Sequence, residues 1–247
     1  MNWQTLEEEL ARWRDAGRAA ELWWRDDDAT ARTPALSRLL ALAQESGVPL
    51  ALAVIPLSAQ AELFASLSAR VLMHGTDHRN RASAGEKKTE FATAEATETA
   101  LERLRRARER LAALAGPSFV PVLVPPWNRC PLELIAQLPV IGLYGCSGYG
   151  ARKAPARGVT QVNTHVDIID WQGKRGFVGE EAALGATIAH LAARRRGAAD
   201  AAEPTGVLTH HAVHDSDAWR FLARFFERTR SAGARWADAA TLFPVAS

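Results

Sequence analysis

The alternation of short apolar runs with longer amphipathic segments most constrains how this chain can fold. Seven runs have the composition of buried β-strands: residues 21–25, 49–55, 70–73, 119–124, 140–144, 158–163 and 206–209. Helical patterns of apolar residues separate most of these runs. Strands that alternate with helices at this spacing are typical of repeated βα units, whose strands lie parallel in one sheet or barrel. The sequence therefore predicts an α/β protein.

Two helical segments have readable ends. Thr33 is a predicted N-cap before Pro34 at the first helical position, and Gly47 ends the leucine-rich segment that follows. The longest predicted helix covers residues 90–115, with acidic residues early and arginines late, as the helix dipole favours. Its arginines indicate a solvated helix face, with a docking patch as the alternative.

Length and composition set the class of protein. A chain of 247 residues that is 47% hydrophobic can bury a substantial core, which excludes a disordered chain. The sequence contains no internal repeat, Gly/Ser linker or low-complexity tract, so we predict a single domain over residues 1–247. The formal net charge of +2 argues against a dedicated nucleic-acid-binding protein.

Membrane and export signals are not evident. The longest apolar run, residues 48–57, is about half of the roughly 20 residues that span a bilayer. The first residues form an amphipathic helical pattern and not a secretory signal. The two cysteines form no paired framework, as expected of free thiols in a reducing compartment. These features predict a cytoplasmic protein with no membrane partner.

Unusual polar residues cluster directly after the predicted strands. The clusters are residues 25–28 (RDDD), 74–78 (HGTDH), 124–129 (VPPWNR), 164–171 (THVDIIDW) and 208–215 (LTHHAVHD). In parallel βα folds, the carboxyl ends of the strands form the catalytic edge. Five of the seven histidines lie in the second and fifth clusters. We therefore expect the active site at this edge.

The chemistry of the first two clusters suits a metal ion. Three adjacent carboxylates, Asp26 to Asp28, repel one another unless a cation or an arginine balances them. The spacing of His74 and His78 brings two imidazoles onto one side of a helical turn, as a divalent transition metal requires. The structural alternatives are an acidic turn that caps a helix and a pair of surface histidines.

Other common chemistries lack their motifs. No GxGxxG follows the first predicted strand, and no GxxxxGK[ST] is present, so neither dinucleotide nor P-loop phosphate binding is supported. Residues 145–149 (GCSGY) lack the second glycine of a nucleophile elbow.

In this order, the five clusters resemble the motifs of the polysaccharide deacetylases, the NodB-homology amidohydrolases grouped as carbohydrate esterase family 4. The resemblance covers roughly residues 21–215. The family's Asp pair is matched by Asp27 and Asp28, or by Asp26 and Asp27 if the register shifts by one residue. Its histidine pair is matched by His74 and His78, and its DxxDW motif is matched in full by residues 167–171.

The two remaining motifs match less completely. Residues 124–127 approximate the Arg-x-Pro-aromatic motif, and residues 207–210 approximate the strand that ends in a histidine. Gly75 stands where the family usually has Ser or Thr, Ala29 follows the Asp pair, and Val124 replaces the arginine of the third motif. Arg25 and Arg129 are candidates to replace that guanidinium.

The resemblance implies a distorted (β/α)7 barrel of the NodB-homology type and a set of site residues. Asp28, His74 and His78 would hold a divalent metal ion, Zn²⁺ first, with Co²⁺ or Ni²⁺ as alternatives. Asp27 would be the general base and His210 the general acid, with His211 as the alternative acid. Asp167 and Asp170 would favour the charged imidazolium. The implied substrate contacts are Trp127, Asn128, Arg129, Trp171 and His211.

The function that follows is metal-dependent hydrolysis of an amide C–N bond, expected as N-deacetylation of an amino sugar or glycoconjugate. One alternative within the same superfamily is hydrolysis of a small non-sugar amide or cyclic imide. Others are a catalytically weakened carbohydrate-binding barrel and an interaction scaffold built on the 90–115 helix. The expected partner is a small molecule or a carbohydrate, and the oligomeric state stays open.

Overall fold

The computed structural model describes residues 1–152 and 156–244. The strands are β1 (Glu21–Ala29), β2 (Leu50–Val54), β3 (Arg70–His74), β4 (Phe119–Val124), β5 (Gly145–Cys146), β6 (Thr160–Gln161), β7 (Val166–Asp167), β8 (Thr205–Thr209) and β9 (Arg235–Trp236). The α-helices are α1 (Trp3–Asp15), α2 (Pro34–Ser46), α3 (Thr97–Ala115), α4 (Leu132–Gln137), α5 (Glu180–Arg195), α6 (Ser216–Ser231) and α7 (Ala239–Leu242). Short 3-10 helices cover Pro56–Ser58, Ala61–Phe64, Gly116–Ser118, Pro126–Asn128, Leu138–Ile141 and His211–Val213.

The chain forms two compact units. The first unit comprises Met1–Asp26, Thr33–Leu50 and Thr164–Asp238. The second comprises Asp27–Arg32, Ala51–Asn163 and Ala239–Ser247. Strand β1 therefore contributes its first six residues to the first unit and its last three to the second.

The first unit is built on parallel strands in the order β7-β8-β1-β9. The register places Asp26 of β1 opposite Thr209, the last residue of β8. Helices α1, α2, α5 and α6 belong to this unit. Its core is rich in aromatic residues: Trp3, Trp13, Trp23, Trp24, Phe221, Phe225 and Phe226 are all buried. A buried carboxylate, Glu9, accepts hydrogen bonds from Arg195 at 2.7 and 3.0 Å.

The second unit contains a parallel sheet in the order β2-β3-β4-β5-β6, together with α3, α4 and α7. The register places His74, at the end of β3, opposite Val124, at the end of β4. The two polar clusters that follow these strands therefore begin side by side at one edge of the sheet. The final residues of β1 join this unit, where the Ala29 carbonyl accepts a hydrogen bond from the Ile55 N–H at 3.0 Å.

The parallel strands and intervening helices confirm the predicted α/β class, and local signals located several elements closely. Helix α2 begins at Pro34 with Thr33 as its N-cap and ends before the left-handed Gly47. Strand β4 has the predicted bounds. Across residues 1–152 and 156–244, no helix combines the length and apolarity needed to cross a membrane.

Two predicted elements were wrong. Residues 140–144 are not a strand: a 3-10 helix, Leu138–Ile141, covers the first two of these positions and leaves Val140 81% exposed, and the strand begins only at Gly145. The long helix begins at Thr97 and not at residue 90; in the segment before it, the buried Glu90 accepts hydrogen bonds from the N–H groups of Thr76 and His78. The two-residue strands β7 and β9 were not predicted; they are too short to carry an alternating pattern.

Candidate metal centre

Asp28, His74 and His78 converge in the second unit. Asp28 lies near the end of β1, His74 is the last residue of β3, and His78 lies in the turn that follows. One potential ligand atom from each residue lies within 4.8 Å of the other two. The Nε2 atoms of His74 and His78 lie 3.1 and 3.4 Å from the same oxygen, Oδ1 of Asp28.

The tautomer of His74 indicates what this arrangement can bind. Its Nδ1 lies 3.0 Å from the carbonyl oxygen of Val124, and since a carbonyl only accepts, Nδ1 carries the proton. The lone pair on Nε2 of the neutral ring therefore faces a carboxylate oxygen. That contact is repulsive unless a cation or a second proton lies between the two atoms. Two imidazole nitrogens and a carboxylate are ligands that suit Zn²⁺ and similar divalent ions, so these residues fit a metal ion.

The electrostatic field of the site also favours positive charge. Burial by itself lowers the pKa of His74, but the negative charges of Asp27 and Asp28 outweigh burial and raise that pKa above 6.5. For His78, burial and the neighbouring His74 lower the pKa below 6.5. The carboxylates therefore favour positive charge at His74, while burial and the neighbouring ring disfavour it at His78.

Left-handed backbone conformations are concentrated at the same place. Among the described residues other than glycine, six have a left-handed φ, and four of these belong to the site segments: Asp28 (71°), His78 (56°), Trp127 (55°) and Asn128 (56°). Asp, Asn and His adopt such conformations more readily than other residues, so Trp127 is the unusual member of the four, and left-handed residues cluster at functional sites.

The two histidines do not share a helical turn, and that part of the prediction was wrong. Strand β3 ends at His74, and residues 75–78 form a tight turn in which Gly75 and His78 both have positive φ values, 59° and 56°. The turn is held by Glu90, which is fully buried and accepts hydrogen bonds from the backbone N–H groups of Thr76 (2.8 Å) and His78 (3.1 Å). Glu90 was not predicted as a site residue, because it lies twelve positions after His78 with no motif around it.

The residues predicted to contact substrate in this unit lie in the segment after β4. The Trp127 ring packs against the His78 ring, with centroids 4.4 Å apart. Asn128 and Arg129 are exposed. The Arg129 guanidinium donates to the Lys88 carbonyl at 2.8 Å, so it ties two loops together. Asp27, the predicted base, is 3% exposed.

The remaining predicted residues lie in the first unit, where three of them form one cluster. Oδ2 of Asp167 accepts a hydrogen bond from Nε1 of Trp171 at 2.8 Å. The Trp171 ring, 41% exposed, meets the His210 ring edge-on with centroids 4.6 Å apart. Nδ1 of His210 is buried without a hydrogen-bond partner among the described residues. Asp170 lies outside this cluster in a turn, where it accepts a hydrogen bond from the Gly173 N–H at 2.9 Å.

His211 is paired with Asp26, a residue to which sequence analysis gave no partner. Nδ1 of His211 lies 2.5 Å from Oδ1 of Asp26, and both side chains are buried. Oδ2 of Asp26 also accepts from the Thr209 hydroxyl (2.6 Å) and the His211 N–H (2.9 Å). The Asp26 carboxylate therefore forms hydrogen bonds with residues at and after the end of β8, whereas Asp28 lies in the group that could hold a metal ion.

Comparisons with known proteins identify the fold. No protein-family model matches the chain, and no curated protein matches it in sequence. Among solved structures, a putative polysaccharide deacetylase from Mycobacterium smegmatis is 16% identical, with a TM-score of 0.61 over 92% of this chain and 89% of that one. The chitin deacetylase of Colletotrichum lindemuthianum is 14% identical, with a TM-score of 0.57 over 92% and 89%.

A family 4 acetyl xylan esterase from Clostridium thermocellum, solved with a cobalt ion, is 13% identical, with a TM-score of 0.54 over 90% of each chain. At these identities the likeness shows the fold. The chain has the (β/α)7 architecture of the carbohydrate esterase family 4 deacetylases, which confirms the predicted fold class.

Proposed function

We propose that this chain is a metal-dependent hydrolase that removes the acetyl group from the nitrogen of an amino sugar or glycoconjugate. The observation that carries the proposal is the convergence of His74 and His78 on one oxygen of Asp28, with the proton of His74 held on its other nitrogen. Solved structures of the same fold include a chitin deacetylase and an esterase with a bound cobalt ion, which supports both the reaction class and the metal.

The residues that would hold the ion are Asp28, His74 and His78. A divalent ion held there would supply Lewis acidity toward a carbonyl oxygen and would lower the pKa of a water molecule toward about 7. Zn²⁺ suits the two-nitrogen, one-carboxylate ligand set, and Co²⁺ is compatible with the same ligands.

Asp27 would act as the general base. It is a buried carboxylate next to Asp28 in the chain, and its charge acts on His74. A carboxylate in this role takes the proton of the water that attacks the amide carbon. A positioned general base contributes typically about 10²- to 10⁴-fold to the rate.

His210 would act as the general acid that protonates the departing amine. Its Nδ1 has no hydrogen-bond partner among the described residues, so the ring is held by packing, which includes its edge contact with Trp171. Asp167 fixes the Trp171 indole and so fixes the surface against which His210 rests. The exposed part of Trp171 offers an apolar face of the kind that packs on a sugar ring.

The first experiment is metal content by elemental mass spectrometry on protein purified without a chelating tag. Wild type is expected to carry about one divalent ion per chain, and a His74→Ala, His78→Ala double variant to carry none. His190→Ala is the matched control, because His190 is a partly buried histidine of the first unit that stacks on His165 and does not belong to the ligand triad. Metal-free wild type that takes up no added Zn²⁺, Co²⁺ or Ni²⁺ would refute the metal-dependent mechanism.

The second experiment measures acetate release from N-acetylglucosamine oligomers, N-acetylated nucleotide sugars and small non-sugar amides. Release from the amino sugars that is lost in the His74→Ala, His78→Ala variant supports the proposal. Turnover confined to the small amides would replace the proposed substrate class and keep the mechanism. A loaded protein that binds oligomers and releases no acetate from any compound would favour a binding barrel.

A further inference from the structure

We infer that Glu90 is a positioning residue for the proposed metal centre, because its carboxylate fixes the turn that carries His78. The effect of Glu90 on metal affinity rests on the proposed function. The local role of Glu90 in ordering residues 75–78 stands on contacts that do not involve a metal.

The two oxygens of the Glu90 carboxylate accept three hydrogen bonds from the turn. Oε1 accepts from the Thr76 N–H at 2.8 Å and from the Thr76 hydroxyl, and Oε2 accepts from the His78 N–H at 3.1 Å. The carboxylate is fully buried, so these contacts are shielded from water. Only a carboxylate offers two acceptor oxygens with no donor of its own, which is what three converging donors require.

The shape of the turn is also fitted to Glu90. A Cβ added to Gly75 would lie 2.2 Å from Oε2 of Glu90 and 2.6 Å from Cγ of Pro126. Gly75 has a φ of 59°, which a side chain rarely adopts. The residue after the first histidine is therefore glycine because the buried carboxylate occupies the space that its side chain would need.

The loop that returns the chain to Glu90 is itself tied down at both ends. At its start, Asp77 accepts two hydrogen bonds from the Arg81 guanidinium, at 2.8 and 2.7 Å. At its end, the Thr89 carbonyl accepts from the Arg81 N–H at 2.8 Å, and the Lys88 carbonyl accepts from Arg129 at 2.8 Å. Residues 79–90 thus join the turn that bears His78 to the segment that bears Trp127.

The chemical consequence is a ligand held in advance of the metal. His78 has a left-handed backbone, which costs free energy for a residue that carries a Cβ, and the Glu90 contacts offset that cost. Hydrogen-bonded partners behind a ligand typically change metal affinity by about 10- to 100-fold when they are removed. Glu90 is such a partner of His78. It holds the backbone N–H of His78 and not the imidazole ring.

The test compares Glu90→Gln with Glu86→Gln, a control on the same loop whose side chain is exposed. Hydrogen exchange of residues 75–78 is measured on metal-free protein, and Zn²⁺ affinity is measured by competition with a chelator. Glu90→Gln is expected to speed exchange at Thr76 and His78 and to weaken Zn²⁺ binding about 10- to 100-fold. Glu86→Gln is expected to change neither. Exchange and affinity in Glu90→Gln that equal wild type would overturn the inference.

A milder variant covers the case in which Glu90→Gln does not fold. Thr76→Val keeps the buried carboxylate and removes one of its three donors, and it is expected to weaken Zn²⁺ binding less than tenfold in the same direction. Unchanged affinity in a folded Thr76→Val protein would count against the inference. If wild type binds no metal, the proposed function fails on that result, and the exchange rates alone decide whether Glu90 orders the turn.

Discussion

Oδ1 of Asp26 lies 2.5 Å from Nδ1 of His211, and the two residues are brought together by parallel pairing of β1 with β8. Burial by itself raises the pKa of Asp26, but the hydrogen bonds and charge of His211, with a further bond from Thr209, outweigh burial and hold that pKa below 3.8. The carboxylate is thus ionised in the interior, and its partners are required to keep it there.

Replacing this carboxylate by an amide is expected to be costly. Asp26→Asn keeps the shape and removes the charge that His211 faces, and removal of one partner of a buried pair costs about 3–5 kcal/mol. Urea unfolding measures the loss. Asp217→Asn, at an exposed ion pair with Arg220, is the control and should stay within about 0.5 kcal/mol of wild type.

The same variant tests which aspartates form the functional pair. Metal content should be unchanged in folded Asp26→Asn protein, since Asp28 and not Asp26 lies in the ligand group. Loss of the metal from folded Asp26→Asn would instead favour the register shifted by one residue.

Asp28→Asn is expected to weaken metal binding severely without unfolding the protein. Asparagine tolerates the left-handed backbone of this position, where φ is 71°. Removing a direct ligand should weaken Zn²⁺ binding by more than the roughly 10- to 100-fold typical of an outer partner. Chelator competition measures the affinity, and thermal unfolding of the metal-free protein should show no loss of stability.

Asp27→Asn separates chemistry from metal binding. If Asp27 is the base, the variant should keep its metal and lose about 10²- to 10⁴-fold in kcat/KM for the deacetylation. Metal content and acetate release are measured on the same preparation. Full activity in a metal-loaded Asp27→Asn protein would remove Asp27 from the mechanism.

The sequence predicted what depends on local signals. The N-cap Thr33, Pro34 and the left-handed Gly47 bound α2 as expected, because each acts through its own backbone geometry. The pairing of His74 with His78 was predicted through a helical turn, although a tight turn produces it. Their four-residue spacing is compatible with either geometry.

The missed features depend on contacts distant in sequence. Asp26 meets His211 because the strand register sets Asp26 opposite Thr209, and no local pattern encodes that register. Glu90 reaches Thr76 only because the intervening loop folds back. Residues 140–144 have the composition of a strand, yet Val140 is exposed, so burial and not composition decided that element.

Gly75→Ala is expected to disturb the metal centre more than its size suggests. The added methyl group would meet Glu90 and Pro126 at 2.2 and 2.6 Å, on a backbone with a φ of 59°. We expect a loss of about 1–3 kcal/mol in unfolding free energy and weaker Zn²⁺ binding. Gly85→Ala is the control: it shares a positive φ, 84°, and has nothing within 4 Å of the added Cβ. Equal effects of the two substitutions would mean that backbone strain alone matters.

His214 should make the stability of the protein depend on pH. Both of its ring nitrogens are buried without a hydrogen-bond partner among the described residues, and the ring meets Trp219 edge-on at 4.5 Å. Burial is the main cause that lowers the pKa of His214 from 6.5 to about 4. Between these two values the unfolded chain binds a proton at this residue and the folded chain does not.

The sign follows from this difference in proton binding. The contribution of His214 favours the folded state fully above pH 6.5 and is lost as the pH falls from 6.5 toward 4. At 1.36 kcal/mol per pKa unit, the loss between pH 7 and pH 5 is about 2 kcal/mol. His214→Phe keeps an aromatic ring against Trp219 and removes the titrating group. Between pH 7 and pH 5, the unfolding free energy of wild type in urea should therefore decrease by about 2 kcal/mol more than that of the variant. Parallel pH profiles for the two proteins would show that His214 already binds its proton in the folded state.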